Sequence, residues 1–302
     1  MKLEISSRVP QPRVAVDDQL RLTNILLATD LSEGSKRALD YAVAIASRYK
    51  AKLHLYHCVD PRPYNISQPE AIGLAGELAR TEIESAAREL QRQHHSLELE
   101  TQVTAGDISS LLPQAIEHLH AELVVVGTHG RTGWKKMVLG SVAETIVRCV
   151  SCPVLCVGPS ANRTGVQEFG PRNIMLAAEV GVRSQQAESF AFSLAHKYHA
   201  HLVIVEMLQE SSGRLTAKVT RRRWQDSGLA GEADPGTVEL EQLPNEVDSQ
   251  SDLILGISQQ TATDLLVLAV PATNPLTERL WSGESYRTVI GAQCEVLVVH
   301  AT

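Results

Sequence analysis

Short runs of apolar, mostly branched residues recur through the first part of the chain, with longer stretches of mixed polarity between them. The runs span residues 25–28, 53–59, 123–127 and 154–157. Between the first two, apolar side chains recur at three- and four-residue steps, the spacing that one helix face can bury: Ala38, Tyr41, Ala42, Ile45, Ala46 and Tyr49. This alternation predicts repeated βαβ units, and runs as uniformly apolar as 123–126 favour a parallel sheet covered on both faces.

Further helices are predicted between the remaining runs. Residues 69–95 form a long, charge-rich stretch typical of a helix. A third helix should begin at Asp107, whose side chain can cap it, and a fourth near Gly140. Ser32 is the better capping residue for the first helix, which would leave the nearby Asp30 for a ligand.

A second copy of the pattern follows the first. Residues 24–28 (NILLA) are echoed by 173–177 (NIMLA), 149 residues later, and 154–157 (VLCV) by 296–299 (VLVV), 142 residues later. A chain of 302 residues also exceeds the usual size of one hydrophobic core. We therefore predict an N-terminal extension at 1–20, a first domain at 21–158, a linker at 159–171 and a second domain at 172–302.

The second copy is shorter in its middle. Residues 208–236 hold several glycines and the basic run Arg221-Arg222-Arg223, where the first copy has its long second helix. We predict a shortened helix and loop there. The basic run could dock an anionic partner, but a solvated helix face is the simpler interpretation.

Charge and composition limit the classes of partner and the cellular location that are expected. Lys and Arg number 28 against 35 Asp and Glu, a net charge of -7, so no general attraction to nucleic acid is expected. The first eighteen residues lack the apolar centre of a signal peptide, and no stretch approaches the length of a membrane span. A cytoplasmic location is expected, with reduced thiols on the five cysteines.

The segment with the clearest chemical meaning follows the third apolar run and opens the fourth helix. Gly127 and Gly130 would let the backbone approach a ligand closely. Gly140 and Ser141 would present unpaired amides and a hydroxyl at a helix N-terminus, where the dipole favours phosphate. Glycines also shape tight turns that bind nothing, so the placement after a strand and before a helix carries the argument.

The ends of the first two runs add candidate contacts. In an open α/β sheet, ligands bind beyond the carboxyl ends of the strands, where the strand order reverses. The first run ends in Thr29, Asp30, Leu31 and Ser32. Asp30 could accept a hydrogen bond from a ribose or hold Mg²⁺ through water. Val59, at the end of the second run, could offer an apolar face to adenine.

These residues resemble the ATP-binding branch of the universal stress protein family. Its signature of Gly, two residues, Gly, nine residues, Gly and Ser is matched by Gly127, Gly130, Gly140 and Ser141. The resemblance covers residues 21–157, including 28–30 (ATD), 58–60 (CVD) and 151–155 (SCPVL).

The resemblance implies two tandem Rossmann-like, open parallel five-stranded sheets in the order 3-2-1-4-5, with helices on both faces. It places adenine near Asp30 and Val59 and the phosphates over Gly130, Gly140 and Ser141, with Ala28 also among the nucleotide-binding residues. Backbone groups of Val126 and His129 and the Val142 amide would also face the nucleotide. The resemblance also implies dimerisation through the last strand.

The second copy departs from this pattern at the decisive positions. Glu179 stands where Asp30 would be, and residues 269–272 (AVPA) replace the first glycine turn. Proline removes an amide donor, and alanine does not adopt the backbone conformations open to glycine. Residues 281–284 (WSGE) put a carboxylate at the position of Ser141. We therefore predict one nucleotide per chain.

Other reactive side chains have simpler explanations. Cys149, Cys152 and Cys156 have spacings seen in zinc and redox sites, but no fourth ligand is evident, and small core side chains are the better interpretation. The ring of His129 is not assigned a catalytic role. Glu144 and Arg148 are expected to form a surface ion pair.

The expected function is a stress-associated protein whose bound ATP, ADP or AMP biases its conformation or partners. Slow ATP hydrolysis is one alternative, although no water-orienting carboxylate or arginine finger can be assigned. A nucleotide-free scaffold is the other. Strands 154–157 and 296–299 would be exposed edges and are expected to pair within the chain, while assembly into a homodimer stays open.

Overall fold

The computed structural model describes residues 20–60, 68–128, 139–158, 170–178, 181–209, 215–223, 249–271 and 283–301. The elements of the first half follow in chain order: β1 (Asn24–Ala28), α1 (Glu33–Tyr49), β2 (Lys52–Val59), α2 (Pro69–Gln93), β3 (Leu99–Ala105), α3 (Ile108–Leu119), β4 (Leu123–Gly127), α4 (Ser141–Cys149) and β5 (Val154–Val157). Those of the second half are β6 (Asn173–Ala178), α5 (Gln185–Tyr198), β7 (His201–Gln209), β8 (Leu215–Arg223), α6 (Gln250–Gln260), β9 (Leu265–Val270), α7 (Glu284–Gly291) and β10 (Glu295–His300).

The predicted α/β class and its dominant parallel sheet are confirmed. The strands lie side by side in the order β3-β2-β1-β4-β5-β10-β9-β6-β7-β8. The first five strands are all parallel and have the order 3-2-1-4-5 within their half. In the second half, β7, β6, β9 and β10 repeat the positions of β2, β1, β4 and β5.

The two halves share one sheet, because the two open sheets implied by the resemblance are joined through their last strands. β5 and β10 pair antiparallel, with Leu155 opposite Leu297 and Val154 opposite Val298. An unpaired strand edge exposes backbone donors and acceptors, and each of these strands would otherwise provide such an edge. Their pairing therefore joins ten strands into a continuous layer.

The prediction for residues 208–236 was wrong where the structure describes them. Residues 215–223 form β8, which pairs antiparallel with β7 over its whole length. The local sequence suits a strand because apolar Leu215, Ala217 and Val219 alternate with polar residues, and Val219 is buried. The basic run at 221–223 thus lies on an edge strand, where charged side chains discourage further strand pairing.

Two helical layers cover the sheet, and both hydrophobic cores run through both halves. Helices α1, α2 and α5 supply one core, and α3, α4, α6 and α7 supply the other. Leu155 and Leu297 contribute to the first core, and Cys156 and Val296 to the second. Among the described helices, none has the length and apolarity needed to cross a bilayer.

Helix starts follow the predicted capping residues. The Ser32 side chain accepts from the Ser35 amide, and Asp107 accepts from the Ser109 amide. The long predicted helix is α2, and the fourth begins directly after Gly140. Local chemistry therefore fixed where these helices begin.

One carboxylate in each half anchors the start of its central strand. Glu122 accepts from the amides of Thr23 (2.8 Å) and Asn24 (2.7 Å). Asp264, in the matching position, accepts from the amides of Arg172 and Asn173, both at 2.9 Å. Each carboxylate thus ties the beginning of β4 or β9 to that of β1 or β6.

Across the boundary between the halves, α1 and α5 make reciprocal contacts. The Arg48 guanidinium lies 5.7 Å from the Tyr198 ring centre, and the Lys197 ammonium lies 5.1 Å from that of Tyr49. Arg48 also donates to the Lys197 carbonyl at 3.2 Å. Two cation–π contacts therefore stabilise the boundary between the halves, where β5 and β10 also pair.

Glu295 is the buried carboxyl at this boundary. Its side chain belongs to β10, is 3% exposed and accepts from the Tyr41 hydroxyl of α1. Burial raises the pKa of Glu295 to about 7, although the nearby Arg37 acts in the opposite direction. The folded protein therefore stabilises the protonated form of the Glu295 carboxyl relative to its anion.

Replacing Glu122 or Asp264 by alanine should remove the strand anchors. Because each carboxylate accepts from two backbone amides, we expect either variant to lose about 1–3 kcal/mol of unfolding free energy. Urea titration at pH 7 measures this change. Glu117→Ala, on the exposed face of α3, is the matched control and should change stability little. Equal losses in all three variants would contradict the anchoring role.

Glu295→Gln should make stability less dependent on pH. With a folded pKa of about 7 against an ordinary value of 4.5, wild-type Glu295 contributes stability that is present below pH 4.5 and lost as pH rises through 7. The glutamine variant has no such loss. Relative to wild type, it should gain up to about 3 kcal/mol between pH 4 and pH 8. Parallel stability curves from urea titrations across this range would rule out a raised pKa.

Candidate functional site

The candidate site lies where the carboxyl ends of β1 and β4 meet. The two strands are neighbours, and Ala28 is paired with Val126 near their ends. From β1, the chain crosses to β2 on one side, whereas β4 lies on the other side and leads to β5. This reversal is the place where open α/β sheets form a crevice for ligands.

A backbone hydrogen bond holds the start of α4 at this crevice. The Gly140 amide donates to the Thr128 carbonyl at 2.8 Å, and the Thr128 amide donates to the Val157 carbonyl at 3.0 Å. Thr128 is 6% exposed, so the first residue after β4 is firmly packed. The N-terminus of α4 is therefore fixed beside the end of β4.

This N-terminus is exposed. Gly140 occupies the capping position and makes no side-chain cap, and Ser141 and Val142 are exposed, the latter at 51%. The first amides of a helix have no partner within the helix and carry the positive end of its dipole. The structure thus places an exposed helix N-terminus at the switch point of the sheet.

The turn between β1 and α1 contains a hydrogen bond that was not predicted from the sequence. The Oδ1 atom of Asp30 accepts from the Ser32 amide at 3.0 Å. Leu31 between them has a positive φ of 58°, which turns the Ser32 amide back toward the carboxylate. Ser32 caps α1 as expected, and Asp30 accepts one hydrogen bond within the same turn. A carboxylate can accept several hydrogen bonds, so this contact does not exclude a ligand.

His57 contributes a contact that the sequence did not reveal. Its Nδ1 atom lies 2.7 Å from the Thr29 carbonyl, directly after β1. A carbonyl only accepts, so Nδ1 carries the proton. The Thr29 amide is also held, by the Tyr56 carbonyl at 3.0 Å. Both backbone groups of Thr29 are therefore fixed from β2.

The structure brings most of the predicted site residues to this edge of the sheet. Val59 is the last residue of β2, the strand beside β1, and is half-buried. The predicted residues that gather around the ends of β1 and β4 are Ala28, Thr29, Asp30, Leu31, Ser32, Val126, Gly127, Gly140, Ser141 and Val142. His129 and Gly130 lie outside the described residues.

The matching place in the second half holds a carboxylate. Glu284 is the first residue of α7, as Ser141 is of α4. It accepts from the Ser249 hydroxyl and the Ser251 amide, both at 2.7 Å, at the start of α6. Burial alone would raise the pKa of Glu284, but these hydrogen bonds outweigh it and lower the pKa. Glu284 therefore fastens α7 to α6 as an anion.

The structure describes only some of the other second-half residues that differ from the family signature. Ala269 and Val270 are buried in β9, and Pro271 follows it directly. Glu179, Ala272, Trp281 and Ser282 lie outside the described residues.

The cysteine cluster lies in the core on the α4 side of the sheet. Cys156 is buried, and Cys149 and Cys152 pack partly against the same core. Burial raises the pKa of the Cys149 thiol to about 11 and those of Cys152 and Cys156 to about 12. All five cysteines are outside disulfides, and no candidate metal cluster occurs in the described part of the chain. These thiols therefore behave as small apolar side chains.

The predicted ion pair on α4 is present. The Arg148 guanidinium lies 3.0 Å from the Glu144 carboxylate, and both side chains are about one third exposed. Such a pair contributes little to stability.

Comparison with known proteins agrees with this architecture. The model of the Universal stress protein family matches residues 22–158. A putative universal stress protein of Staphylococcus aureus strain USA300 is 30% identical over 138 residues, which cover 44% of this chain and 82% of that protein.

Solved structures match as well. A universal stress protein from Archaeoglobus fulgidus covers 92% of this chain and 96% of its own at 14% identity and a TM-score of 0.65, which supports the fold of both halves. A universal stress protein in complex with cAMP covers 46% of this chain and 98% of its own, at 23% identity and a TM-score of 0.36. Because the family model matches residues 22–158 and the Staphylococcus aureus protein is 30% identical over 82% of its own length, the chain belongs to the universal stress protein family.

Proposed function

We propose that the first half of this universal stress protein binds ATP and that the bound nucleotide regulates its conformation or partners in a cytoplasmic stress response. The observation that carries the proposal is the exposed N-terminus of α4, fixed to the end of β4 by the Gly140–Thr128 hydrogen bond. Phosphate at this position would meet unpaired amides and a favourable helix dipole.

Each part of the nucleotide has candidate partners at this edge. The amides of Gly140, Ser141 and Val142, with the Ser141 hydroxyl, are assigned to the phosphates. Gly127 and Gly130 would allow the chain to approach closely, and the backbone of Val126 and His129 would line the same side.

The base and sugar are assigned to the ends of β1 and β2. Val59 and Ala28 would offer apolar surface to adenine, and Asp30 would accept from the ribose or hold Mg²⁺ through water. The Asp30–Ser32 hydrogen bond orients the carboxylate for this role.

The second half is proposed to bind no nucleotide. Glu284 places a negative charge at the start of α7 and already uses it to bind α6. Phosphate near this carboxylate would be repelled. The two halves, assigned to residues 21–158 and 172–302, would thus reproduce within one chain the last-strand pairing of family dimers, with nucleotide on one side only.

Calorimetric titration of the nucleotide-stripped protein with ATP and Mg²⁺ should give one site per chain. Ser141→Glu copies the second half and should weaken binding at least about a hundredfold, because it places a carboxylate against phosphate. Ser141→Ala removes only a hydroxyl and should cost about tenfold or less. Gln259→Glu, which adds the same charge at an exposed position of α6, should leave binding unchanged.

Other outcomes of this titration and of incubation with ATP would support the alternative functions. Absence of binding by the wild-type protein would favour the nucleotide-free scaffold. Two sites per chain would show that the second half retains a binding site. Release of ADP during prolonged incubation would identify slow hydrolysis.

Glu284→Ser should destabilise the protein without creating a second site. The change removes the acceptor for the Ser249 hydroxyl and the Ser251 amide, which should cost about 1–3 kcal/mol in urea titrations. Binding should remain at one ATP per chain because Pro271 and the alanines around it still replace the glycine turn. Glu284→Gln retains an acceptor and should lose less stability. A second ATP bound by Glu284→Ser would mean that this carboxylate alone blocks the site.

A further inference from the structure

His300, in the second half, contacts the first half through one of its ring nitrogens. It ends β10 and is 3% exposed. Its Nε2 atom lies 3.0 Å from the carbonyl of Val147 in α4, and its Nδ1 atom lies 3.3 Å from the carbonyl of Pro271. One ring from the second half thus contacts the helix that opens the candidate nucleotide site of the first half.

The chemistry of these contacts identifies the donor. Carbonyl oxygens only accept, and a neutral imidazole has a single N–H group. Burial lowers the pKa of His300 and favours the neutral ring, although the two carbonyls oppose this effect. The shorter contact places the proton on Nε2, which donates to Val147.

The accepting carbonyl lies near the end of a short helix. Helix α4 has nine residues, and Val147 belongs to its last turn, where carbonyls lack a donor from within the helix. At about 1.5 Å per residue, such a helix is only about 13 Å long. Fixing its final turn therefore also fixes the direction in which its first amides point.

Among the residues that the structure describes, β5 makes no matching side-chain contact to α7. By the spacing of the repeat, Gly158 occupies the position of His300 at the end of β5. Glycine has no side chain to reach the matching carbonyl of Val289. The contact therefore acts on α4, the helix of the proposed ATP-binding half.

We propose that His300 is a positioning residue for the nucleotide site, through which the second half holds α4 in the orientation that binds phosphate. This role rests on the proposed ATP binding. The second half then has a function in binding although it takes no nucleotide itself.

Two variants distinguish the effect of the N–H donor of His300 from the effect of the ring's packing. The amide nitrogen of glutamine lies about as far along the side chain as Nε2, whereas that of asparagine corresponds to Nδ1. His300→Asn should weaken ATP binding roughly tenfold in calorimetry, the loss expected of one buried hydrogen bond. His300→Gln should restore binding to within about twofold of wild type.

The matched control is His54→Asn. His54 is also buried, at 4% exposure, and its Nε2 atom contacts the Asn24 side chain at 3.0 Å, away from α4. This variant should bind ATP like wild type even if its stability falls. Amide hydrogen exchange without nucleotide supplies a second readout. The amides of residues 141–149 should exchange faster in His300→Asn than in wild type, and at the wild-type rate in His54→Asn.

The outcomes distinguish this inference from the proposed function. If wild type binds ATP and His300→Asn binds it equally well, the positioning role is overturned and ATP binding stands. If His300→Gln is as weak as His300→Asn, packing of the ring rather than its N–H group matters, which also overturns it. If wild type binds no ATP, the proposed function fails and the positioning role fails with it.

Discussion

The antiparallel ladder between β5 and β10 is the contact on which the rest of the molecule depends. It turns two exposed strand edges into the middle of a ten-stranded sheet. Because side chains alternate between the faces of a strand, this single ladder carries both hydrophobic cores across the boundary. Contacts that could form only across the boundary, such as those of Arg48, Glu295 and His300, follow from it.

Within this frame, the halves use the same position in opposite ways. The first residue of α4 is an exposed serine, and that of α7 is a carboxylate bonded to α6. A helix N-terminus favours a negative charge from any source. In the second half the chain itself supplies that charge, whereas in the first half the same position carries an uncharged side chain.

The sequence predicted the part of the site that is local. Glycine spacing and the strand before it located α4, and capping chemistry located the starts of α1 and α3. The hydrogen bond from the Ser32 amide to Asp30 was missed because it depends on the positive φ of Leu31, which is a bulky residue. The contact of His57 with Thr29 was missed because it joins two neighbouring strands.

By itself, the sequence determined the repeat, the α/β class and the positions of most elements, because hydrophobic periodicity and helix caps act over a few residues. Only the tertiary structure decided that 215–223 form an antiparallel edge strand, that Glu284 binds α6 and that His300 reaches α4. These features depend on partners far apart in the chain. Residues 153 positions apart, such as His300 and Val147, meet only once the sheet has closed.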